Sequence, residues 1–397
     1  MKKKLENRKN NKSIIVSTLI FVITFIAMAG YLIYFNLTQA ESIINNSYNK
    51  RQGVLSRRTI RGSILSDDKT KLAVTNVDDD GNETRYYPYS GLFSHTIGYL
   101  NNGGYGLESL YGYYMLHSNQ NFFEQIGNDL SGNRNTGDNV VTTLNVGLQK
   151  ACYDALGSNR GAVIVMEPST GKILAMVSKP DFDPNTLAAN WSQITGEGSD
   201  SVLVNRATQG LYPPGSTFKL ITMLEYLREH KNDYGQYHYI CDGTYELGNN
   251  TINCVRTTAH GDVDLFSSLA VSCNCSFINI GLSLDLDRYK KTAEKMLFNK
   301  ELPTNLEYNK SRFVLNGESS EWDIAQTSFG QGKTVITPFH LALITCTIAN
   351  NGTLMEPYLV SSVESTNGMT VKKFKEEKYD TLITEKEASL LKKGMEQ

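Results

Sequence analysis

The strongest constraint on the fold is an uncharged, apolar segment near the N-terminus, residues 14–35. Its 22 residues would span roughly 33 Å as a helix, which matches the hydrocarbon thickness of a bilayer. The preceding tail, residues 1–13, carries six Lys or Arg side chains against one Glu. Basic residues that flank a span stay on the cytoplasmic side. The sequence therefore predicts a single-pass cell-membrane protein with a cytoplasmic N-terminus and its main part outside the cell.

A cleaved signal peptide is the alternative interpretation of this segment. Thr38-Gln39-Ala40 loosely resembles a cleavage site, but the apolar segment is longer than the core of a typical signal peptide. We therefore expect residues 14–35 to remain as a transmembrane anchor. Residues 36–60 are polar and compatible with a helix, and we expect them to form a stalk.

The rest of the chain has the composition of a globular protein. Of 397 residues, 40% are apolar and 20% are charged. This provides enough apolar side chains for a packed core, argues against disorder, and suggests two or three domains. The formal net charge of −2 gives no electrostatic case for nucleic acid as a partner.

Two kinds of sequence follow the stalk. Residues 61–138 are rich in Gly, Asn, Asp and Tyr, and their short apolar runs are typical of small strands joined by turns. Beyond residue 139, two β-branched runs, residues 161–166 and 172–177, enclose a turn signal and predict an antiparallel hairpin. The fold class predicted is α+β, with helices packed on an antiparallel sheet. Helical patterns occupy residues 146–156, 216–230, 265–284, 286–298, 337–350 and 384–397.

A serine and a lysine one helical turn apart form the first candidate catalytic pair. Pro213, Pro214 and Gly215 interrupt the chain just before Ser216, which then opens an apolar helix. Residues three apart share a helix face, so Lys219 is expected one turn from the Ser216 hydroxyl. A helix N-terminus favours the negative charge that would develop at the serine. A serine nucleophile also needs a nearby base, which Lys219 can supply.

The bare pattern Ser-x-x-Lys has little specificity, because it recurs at four other positions of this chain. A capping or turn serine beside a solvated lysine is the simpler interpretation there. Only Ser216 has the Pro-Pro-Gly entry and a long apolar helix behind it. The other positions are Ser47/Lys50, Ser66/Lys69, Ser169/Lys172 and Ser389/Lys392.

Ser272-Cys273-Asn274 is the second candidate motif, and it lies between the apolar stretches 265–271 and 277–282. A Ser and an Asn in a buried connection must find hydrogen-bond partners. Two interpretations stay open from the residues alone. Ser272 and Asn274 can simply cap a helix, or they can relay a proton and hold a substrate amide.

Together these motifs resemble a class B penicillin-binding protein, a membrane-anchored D,D-transpeptidase of cell-wall synthesis. Ser-x-x-Lys and a Ser-containing triad are signatures of that enzyme group, and the resemblance runs from about residue 61 to the last residue. Residues 61–138 would then be the family's non-catalytic pedestal domain and residues 139–397 its transpeptidase domain, as in the shorter Gram-positive members. The other matching segments are Arg61-Gly62-Ser63-Ile64, Gly104-Tyr105-Gly106-Leu107-Glu108, Pro180-Asp181-Phe182-Asp183-Pro184-Asn185, Gly330-Gln331-Gly332 and Thr337-Pro338.

The resemblance implies a mechanism without a metal or organic cofactor. Ser216 would attack the carbonyl of a D-Ala-D-Ala stem peptide, and Lys219 would act as the base, a role that needs a neutral amine and a lowered pKa. Ser272 would pass the proton to the departing D-Ala, and Asn274 would bind the donor's amide. β-Lactams mimic this donor and trap the same serine. A membrane glycosyltransferase is a further expected partner.

The family's third motif, Lys-Thr-Gly, does not occur in the chain. Gly332-Lys333-Thr334 continues towards Thr337-Pro338, the segment that the family uses to approach a helix. Family members reach Lys-Thr-Gly after a helix resembling residues 384–397. The expectation is therefore a chain truncated before that motif, with the last strands missing. The motif supplies one oxyanion donor, worth about 10²–10³ in rate, so the activity of this exact polypeptide is in question.

Two other functions remain open at this point. A non-catalytic scaffold of a cell-wall synthesis complex is favoured by the absent motif, whereas the retained Ser216, Lys219, Ser272 and Asn274 argue against it. A β-lactam sensor or hydrolase of the same fold would need a base that activates water. No Glu-x-x-Leu-Asn pattern is present to supply one, and the pedestal also disfavours it.

The six cysteines are far too few for a disulfide-stapled miniprotein. Cys241 and Cys254 lie in a Gly/Asn-rich loop and can pair outside the cell, although spacing alone does not set their Cα distance. Cys152 and Cys346 are most simply buried small hydrophobes.

Zinc binding near the second motif is a further interpretation of the cysteines. Cys273 and Cys275 flank Asn274 and can be combined with His238 or His260. No His-x-x-x-His or Cys-x-x-Cys spacing supports such a site. The sequence therefore predicts no metal.

Overall fold

The computed structural model describes residues 2–38, 59–101, 103–196 and 199–396. Most of the predicted stalk, residues 39–58, lies outside the described residues.

The predicted anchor lies in one long N-terminal helix, Lys2–Thr38. Within it, the 22 residues Ile14–Phe35 are long and apolar enough to cross a membrane, and none of this stretch is buried against the rest of the protein. Their large apolar side chains are exposed, as expected of a helix that faces lipid. The helix is thus a candidate membrane anchor by length and composition.

The remaining α-helices of the described residues are short, and the longer ones fall mainly in the second half of the chain. They are Ser94–Ile97, Gly106–Leu110, Gly112–Met115, Phe122–Leu130, Val146–Leu156, Trp191–Thr195, Lys219–Glu229, Leu265–Ala270, Asn274–Ser283, Leu286–Lys295, Glu321–Ser328, Pro338–Ala349 and Glu385–Met395.

A six-stranded sheet joins distant parts of the described chain. In spatial order its strands are Thr370–Lys373, Val360–Glu364, Asn139–Thr142, Ile64–Leu65, Lys71–Val77 and Glu83–Tyr86. The first three strands come from the region predicted as the second domain, and the last three from residues 61–138. The central contact is the parallel pairing of Ile64–Leu65 with Val140–Val141. The predicted pedestal therefore shares one sheet with residues beyond 138.

The other strands form two-stranded units. They pair as Thr59–Ile60 with Asn135–Thr136, Gly161–Met166 with Ile173–Lys179, His238–Cys241 with Gly261–Asp264, Thr244–Leu247 with Asn250–Asn253, and Thr353–Met355 with Lys378–Thr381.

A buried triad of Arg61, Arg85 and Glu108 joins separate segments of the predicted pedestal by ion pairs. Both oxygens of the Glu108 carboxylate are used: Arg61 Nε lies 2.9 Å from Oε2 and Arg85 Nε lies 2.7 Å from Oε1. The Glu108 side chain is fully buried. Arg85 also donates to the Gly62 carbonyl at 2.8 Å. Two segments that the sequence singled out separately, Arg61–Ile64 and Gly104–Glu108, thus meet in one cluster.

The predicted hairpin is present and organises the helices around it. Gly161–Met166 pairs antiparallel with Ile173–Lys179, and both Val146–Leu156 and Pro338–Ala349 pack on it. Asn145 caps Val146–Leu156 by accepting from Leu148 N at 2.9 Å. The prediction of an α+β fold with helices packed on an antiparallel sheet is confirmed.

Candidate active site

Ser216 lies at a tight turn in front of a buried helix. Gly215–Phe218 form one 3₁₀ turn, and the α-helix Lys219–Glu229 follows directly. Gly215 has φ +60°, a left-handed conformation that glycine adopts without strain. Ser216 itself is exposed. A helix therefore begins close to the predicted position, but Ser216 lies in a 3₁₀ turn that precedes the first α-helical turn.

The turn is held from two sides. On the buried side, Phe218 is 1% exposed and packs against the rings of Phe298 and Phe313. On the other side, Gly215 N donates to the Gly330 carbonyl at 2.8 Å. A Cβ at Gly330 would lie 1.8 Å from the Gly215 carbonyl oxygen, so only glycine permits this approach. The Gly330-Gln331-Gly332 segment thus supports the serine turn directly.

Lys219 is completely buried and makes three short hydrogen bonds through its amine. Nζ donates to the Ser272 carbonyl at 2.7 Å, to Ser272 Oγ at 2.9 Å and to Asn274 Oδ1 at 2.8 Å. The Ser216 hydroxyl lies at 3.4 Å from the same nitrogen. These contacts bring all four predicted site residues into one network.

Ser272 links the two halves of the site. Its Oγ donates to Ser216 Oγ at 2.8 Å while accepting from Lys219. The residue has φ +54° and lies between the helices Leu265–Ala270 and Asn274–Ser283. The single helix predicted over 265–284 is therefore wrong, because the chain breaks at the motif. The left-handed conformation at Ser272 turns its side chain and carbonyl towards Lys219.

Asn274 begins the second of these helices and is held at both ends of its amide. Oδ1 accepts from Lys219, and Nδ2 donates to the Asn253 carbonyl at 3.0 Å. The role of the Asn253 carbonyl carries no sequence signal, because a backbone oxygen is available at every position. The amide orientation is thus fixed before any substrate arrives.

The chemistry of this arrangement depends on the charge of Lys219. Burial lowers the pKa of Lys219 to about 8, and the negative charge that Cys273, Cys254 and Cys275 carry when ionised acts in the opposite direction. A neutral amine has two donors and one lone pair. It can keep its bonds to the Ser272 carbonyl and to Asn274 while the lone pair faces the hydroxyls. The site can therefore remove a proton from Ser216 directly or through Ser272.

A pH profile follows from this pKa. At about pH 7 roughly a tenth of an amine with pKa about 8 is neutral, and at about pH 9 roughly nine tenths is neutral. We expect the second-order rate constant for acylation by a penicillin to rise about tenfold across that range, because the free-enzyme profile reports the pKa of the base. Stopped-flow fluorescence with a reporter penicillin measures it. A flat profile would contradict the assignment of Lys219 as base.

Within the described residues, the alternative Ser-x-x-Lys and Gly-Lys-Thr patterns form no such network, and the pair Ser47/Lys50 lies outside them. Lys333 is mostly exposed and pairs with Asp323 at 3.0 Å. Lys172 is shared between Glu167 at 3.5 Å and Glu376 at 3.6 Å. Ser389 is exposed on the helix Glu385–Met395.

Comparison with known families identifies two segments of the chain. Residues 161–397, more than half of the chain, match the penicillin binding protein transpeptidase domain. Residues 61–140 match the penicillin binding protein A dimerisation domain.

Curated relatives include two mycobacterial proteins, both named peptidoglycan D,D-transpeptidase PbpA. The protein of Mycolicibacterium smegmatis is 31% identical over 312 residues, which cover 73% of this chain and 61% of the relative. The protein of Mycobacterium tuberculosis is 35% identical over 262 residues, covering 61% of this chain and 52% of the relative. The chain thus spans about half to three fifths of the length of these relatives.

Solved structures resemble the fold closely. The D,D-transpeptidase domain of a peptidoglycan glycosyltransferase from Eggerthella lenta is 30% identical with a TM-score of 0.75, covering 85% of this chain and 81% of that one. The imipenem acyl-enzyme of penicillin-binding protein A from M. tuberculosis is 28% identical with a TM-score of 0.76, and the same shares are covered.

Proposed function

We propose that this chain, which belongs to the penicillin-binding protein transpeptidase family, crosslinks peptidoglycan stem peptides through an acyl-enzyme on Ser216. The observation that carries the proposal is the continuous hydrogen-bonded path from the exposed Ser216 hydroxyl through Ser272 to the buried Lys219 amine. This is the constellation that a serine nucleophile with a lysine base requires.

The first half-reaction uses all four site residues. Neutral Lys219 takes the Ser216 proton, directly or through Ser272, as Oγ attacks the penultimate D-Ala carbonyl of a D-Ala-D-Ala stem. The C–N bond to the terminal D-Ala then breaks. Ser272 relays the proton to the departing amine, which leaves as free D-Ala. Asn274 orients the donor by binding its amide.

The second half-reaction runs the same path in reverse. An amine of a neighbouring stem gives up its proton towards Lys219 and attacks the Ser216 ester. The new amide bond forms the crosslink, and Ser216 recovers its hydroxyl. A β-lactam enters as the donor does, and its opened ring stays attached to Ser216, which accounts for inhibition by this class of compound.

The location of the site outside the cell belongs to the same proposal. The six basic residues before Ile14–Phe35 support a cytoplasmic N-terminus and a single membrane pass. Residues 61–138 would act as a pedestal and residues 139–397 would carry the chemistry. Stem peptides attached to membrane-bound precursors, and a membrane glycosyltransferase that polymerises them, are the partners that this placement suits.

Turnover of a synthetic stem peptide tests the proposal. The natural protein, purified in detergent, is incubated with a peptide ending in D-Ala-D-Ala and an amine acceptor. We expect release of D-Ala and a crosslinked product, and Ser216→Ala should abolish both because no other nucleophile forms the ester. The products are separated and identified by liquid chromatography and mass spectrometry.

A matched control guards against a general effect of removing a serine. Ser389→Ala alters another Ser-x-x-Lys serine, exposed on a helix surface, and should retain turnover. D-Ala release that persists in Ser216→Ala would overturn the assignment. No release by the natural protein would favour the scaffold function instead.

A further inference from the structure

Four cysteines and a histidine converge directly behind the Ser272–Asn274 motif. Cys241, Cys254, Cys273 and Cys275 are each at most 2% exposed, and they form a separate buried cluster. The side-chain ligand atoms of Cys241, Cys254, Cys273 and His260 all lie within 4.8 Å of one another. All four cysteines are free thiols, and no disulfide joins any two of them.

The fold assembles this group from separate elements. Cys241 ends the strand His238–Cys241, whose partner strand begins at Gly261, so His260 lies beside Cys241. Cys254 follows the strand Asn250–Asn253, and its backbone N–H donates to the Gly243 carbonyl at 2.9 Å. Cys273 comes from the break between two helices. These residues are brought together by the tertiary fold and not by their spacing in the sequence, so the spacing gave no indication of the cluster.

Three of the six separations among these ligand atoms match the edges of a metal tetrahedron, and all six are within 4.8 Å. With metal–sulfur bonds of about 2.3 Å and metal–nitrogen bonds of about 2.0–2.1 Å, tetrahedral zinc requires S···S edges of about 3.8 Å and S···N edges of about 3.5 Å. The Sγ atom of Cys254 lies 3.8 Å from Sγ of Cys241 and 3.9 Å from Sγ of Cys273. Nδ1 of His260 lies 3.4 Å from Cys241 Sγ.

We propose that Cys241, Cys254, Cys273 and His260 bind one Zn²⁺ ion as a structural Cys₃His site. Three thiols and one imidazole in tetrahedral reach are a donor set that suits zinc, and a closed set of four protein ligands is typical of structural rather than catalytic zinc. On binding, the thiols release their protons to solvent and ligate as thiolates. His260 ligates through the neutral Nδ1.

A disulfide is the competing explanation for buried cysteines outside the cell, and the geometry disfavours it. Disulfides would join the four sulfurs in two separate pairs, whereas Cys254 Sγ lies within 3.9 Å of three other sulfurs at once, with Cys275 at 3.4 Å. His260 Nδ1 has no role in a disulfide. A metal bound by Cys241, Cys254, Cys273 and His260 uses three of the sulfurs and the nitrogen together, and the Cys275 thiol remains a neighbour of Cys254.

The site would fix the residues that carry the proposed chemistry. Cys273 lies between Ser272 and Asn274, and Cys254 follows Asn253, whose carbonyl holds the Asn274 amide. A metal bound to Cys254 and Cys273 would therefore tie both sides of the Asn274 contact together. It would also hold the left-handed turn at Ser272. These ligands would be positioning residues, because the hydrogen bonds of Lys219 Nζ go to Ser216, Ser272 and Asn274.

Metal content tests the proposal without reference to catalysis. The natural protein is purified in detergent without chelators, and its metals are measured by inductively coupled plasma mass spectrometry. We expect about one zinc per chain, lost in Cys254→Ser and retained in Cys346→Ser, which alters a buried cysteine outside the cluster. Substoichiometric zinc that is equal in the two variants would overturn the proposal.

A second measurement uses the unaltered chain, in case Cys254→Ser fails to fold. Exchange of the metal for Co²⁺ should produce thiolate-to-cobalt charge-transfer absorption and the visible bands of tetrahedral cobalt. Chelation should remove this absorption and expose the cluster's thiols to a thiol reagent. Absence of these bands, or a disulfide through Cys241, Cys254 or Cys273 in non-reducing peptide mapping, would contradict the metal site. A failure of stem-peptide turnover leaves these readouts intact, so the two proposals fail separately.

Discussion

Replacing Lys219 with methionine is expected to lower the rate of acylation by a penicillin by about 10²–10⁴-fold, the usual contribution of a positioned general base. Methionine fills a similar volume, but its thioether sulfur is too weak an acceptor to take the Ser216 proton and it has no donors for Ser272 and Asn274. The second-order rate constant is measured with a fluorescent penicillin on the natural protein in detergent.

Lys219→Arg keeps a positive charge and hydrogen-bond donors at this position but removes the group that can act as a base. Arginine supplies donors to the Ser272 carbonyl and to Asn274, but it stays protonated at any working pH. We expect it to be as slow as Lys219→Met, with no rise in rate between about pH 7 and about pH 9. Lys333→Met alters the exposed lysine of the Gly-Lys-Thr segment and should react normally. Near-normal acylation by Lys219→Arg would show that Lys219 only positions its neighbours.

Glu108→Gln is expected to reduce the free energy of unfolding by about 3–5 kcal/mol, the usual cost of removing one partner from a buried ion pair. The substitution conserves the side-chain volume but leaves Arg61 and Arg85 buried without a counter-charge. Urea denaturation followed by circular dichroism measures the change. The effect is large because, in the described part of the chain, both arginines form their ion pairs with Glu108 alone.

A surface ion pair provides the control for this effect. Lys150 and Asp154 lie 2.7 Å apart on an exposed helix face. Because solvent screens such a pair, Asp154→Asn should cost only about 0.3–0.5 kcal/mol. Comparable losses in Glu108→Gln and Asp154→Asn would show that the buried triad does not hold the pedestal.

Local patterns in the sequence predicted the parts of the structure that depend on near neighbours. The helix 146–156 and the hairpin strand 161–166 occur with the same bounds, because periodicity and turn residues act over a few positions. Ser216 and Lys219 share a face for the same reason. The resemblance to a family supplied the roles of Ser272 and Asn274, which spacing alone left open.

Features that depend on long-range packing were not predictable in this way. The break at Ser272 is invisible in an apolar pattern that continues on both sides, and its left-handed φ is stabilised by contacts with Lys219. The sheet that joins residues 64–86 to residues 139–142 and 360–373 requires pairing between strands far apart in the chain. The cysteine cluster depends on the same kind of convergence.

The most direct test of the account is to locate the covalent adduct on the natural protein. The protein is treated with a penicillin, digested, and analysed by tandem mass spectrometry, with Ser216→Ala treated in parallel. We expect one penicilloyl group, attached to Ser216 and absent from the variant. An adduct on a different residue, or equal labelling of the variant, would contradict it.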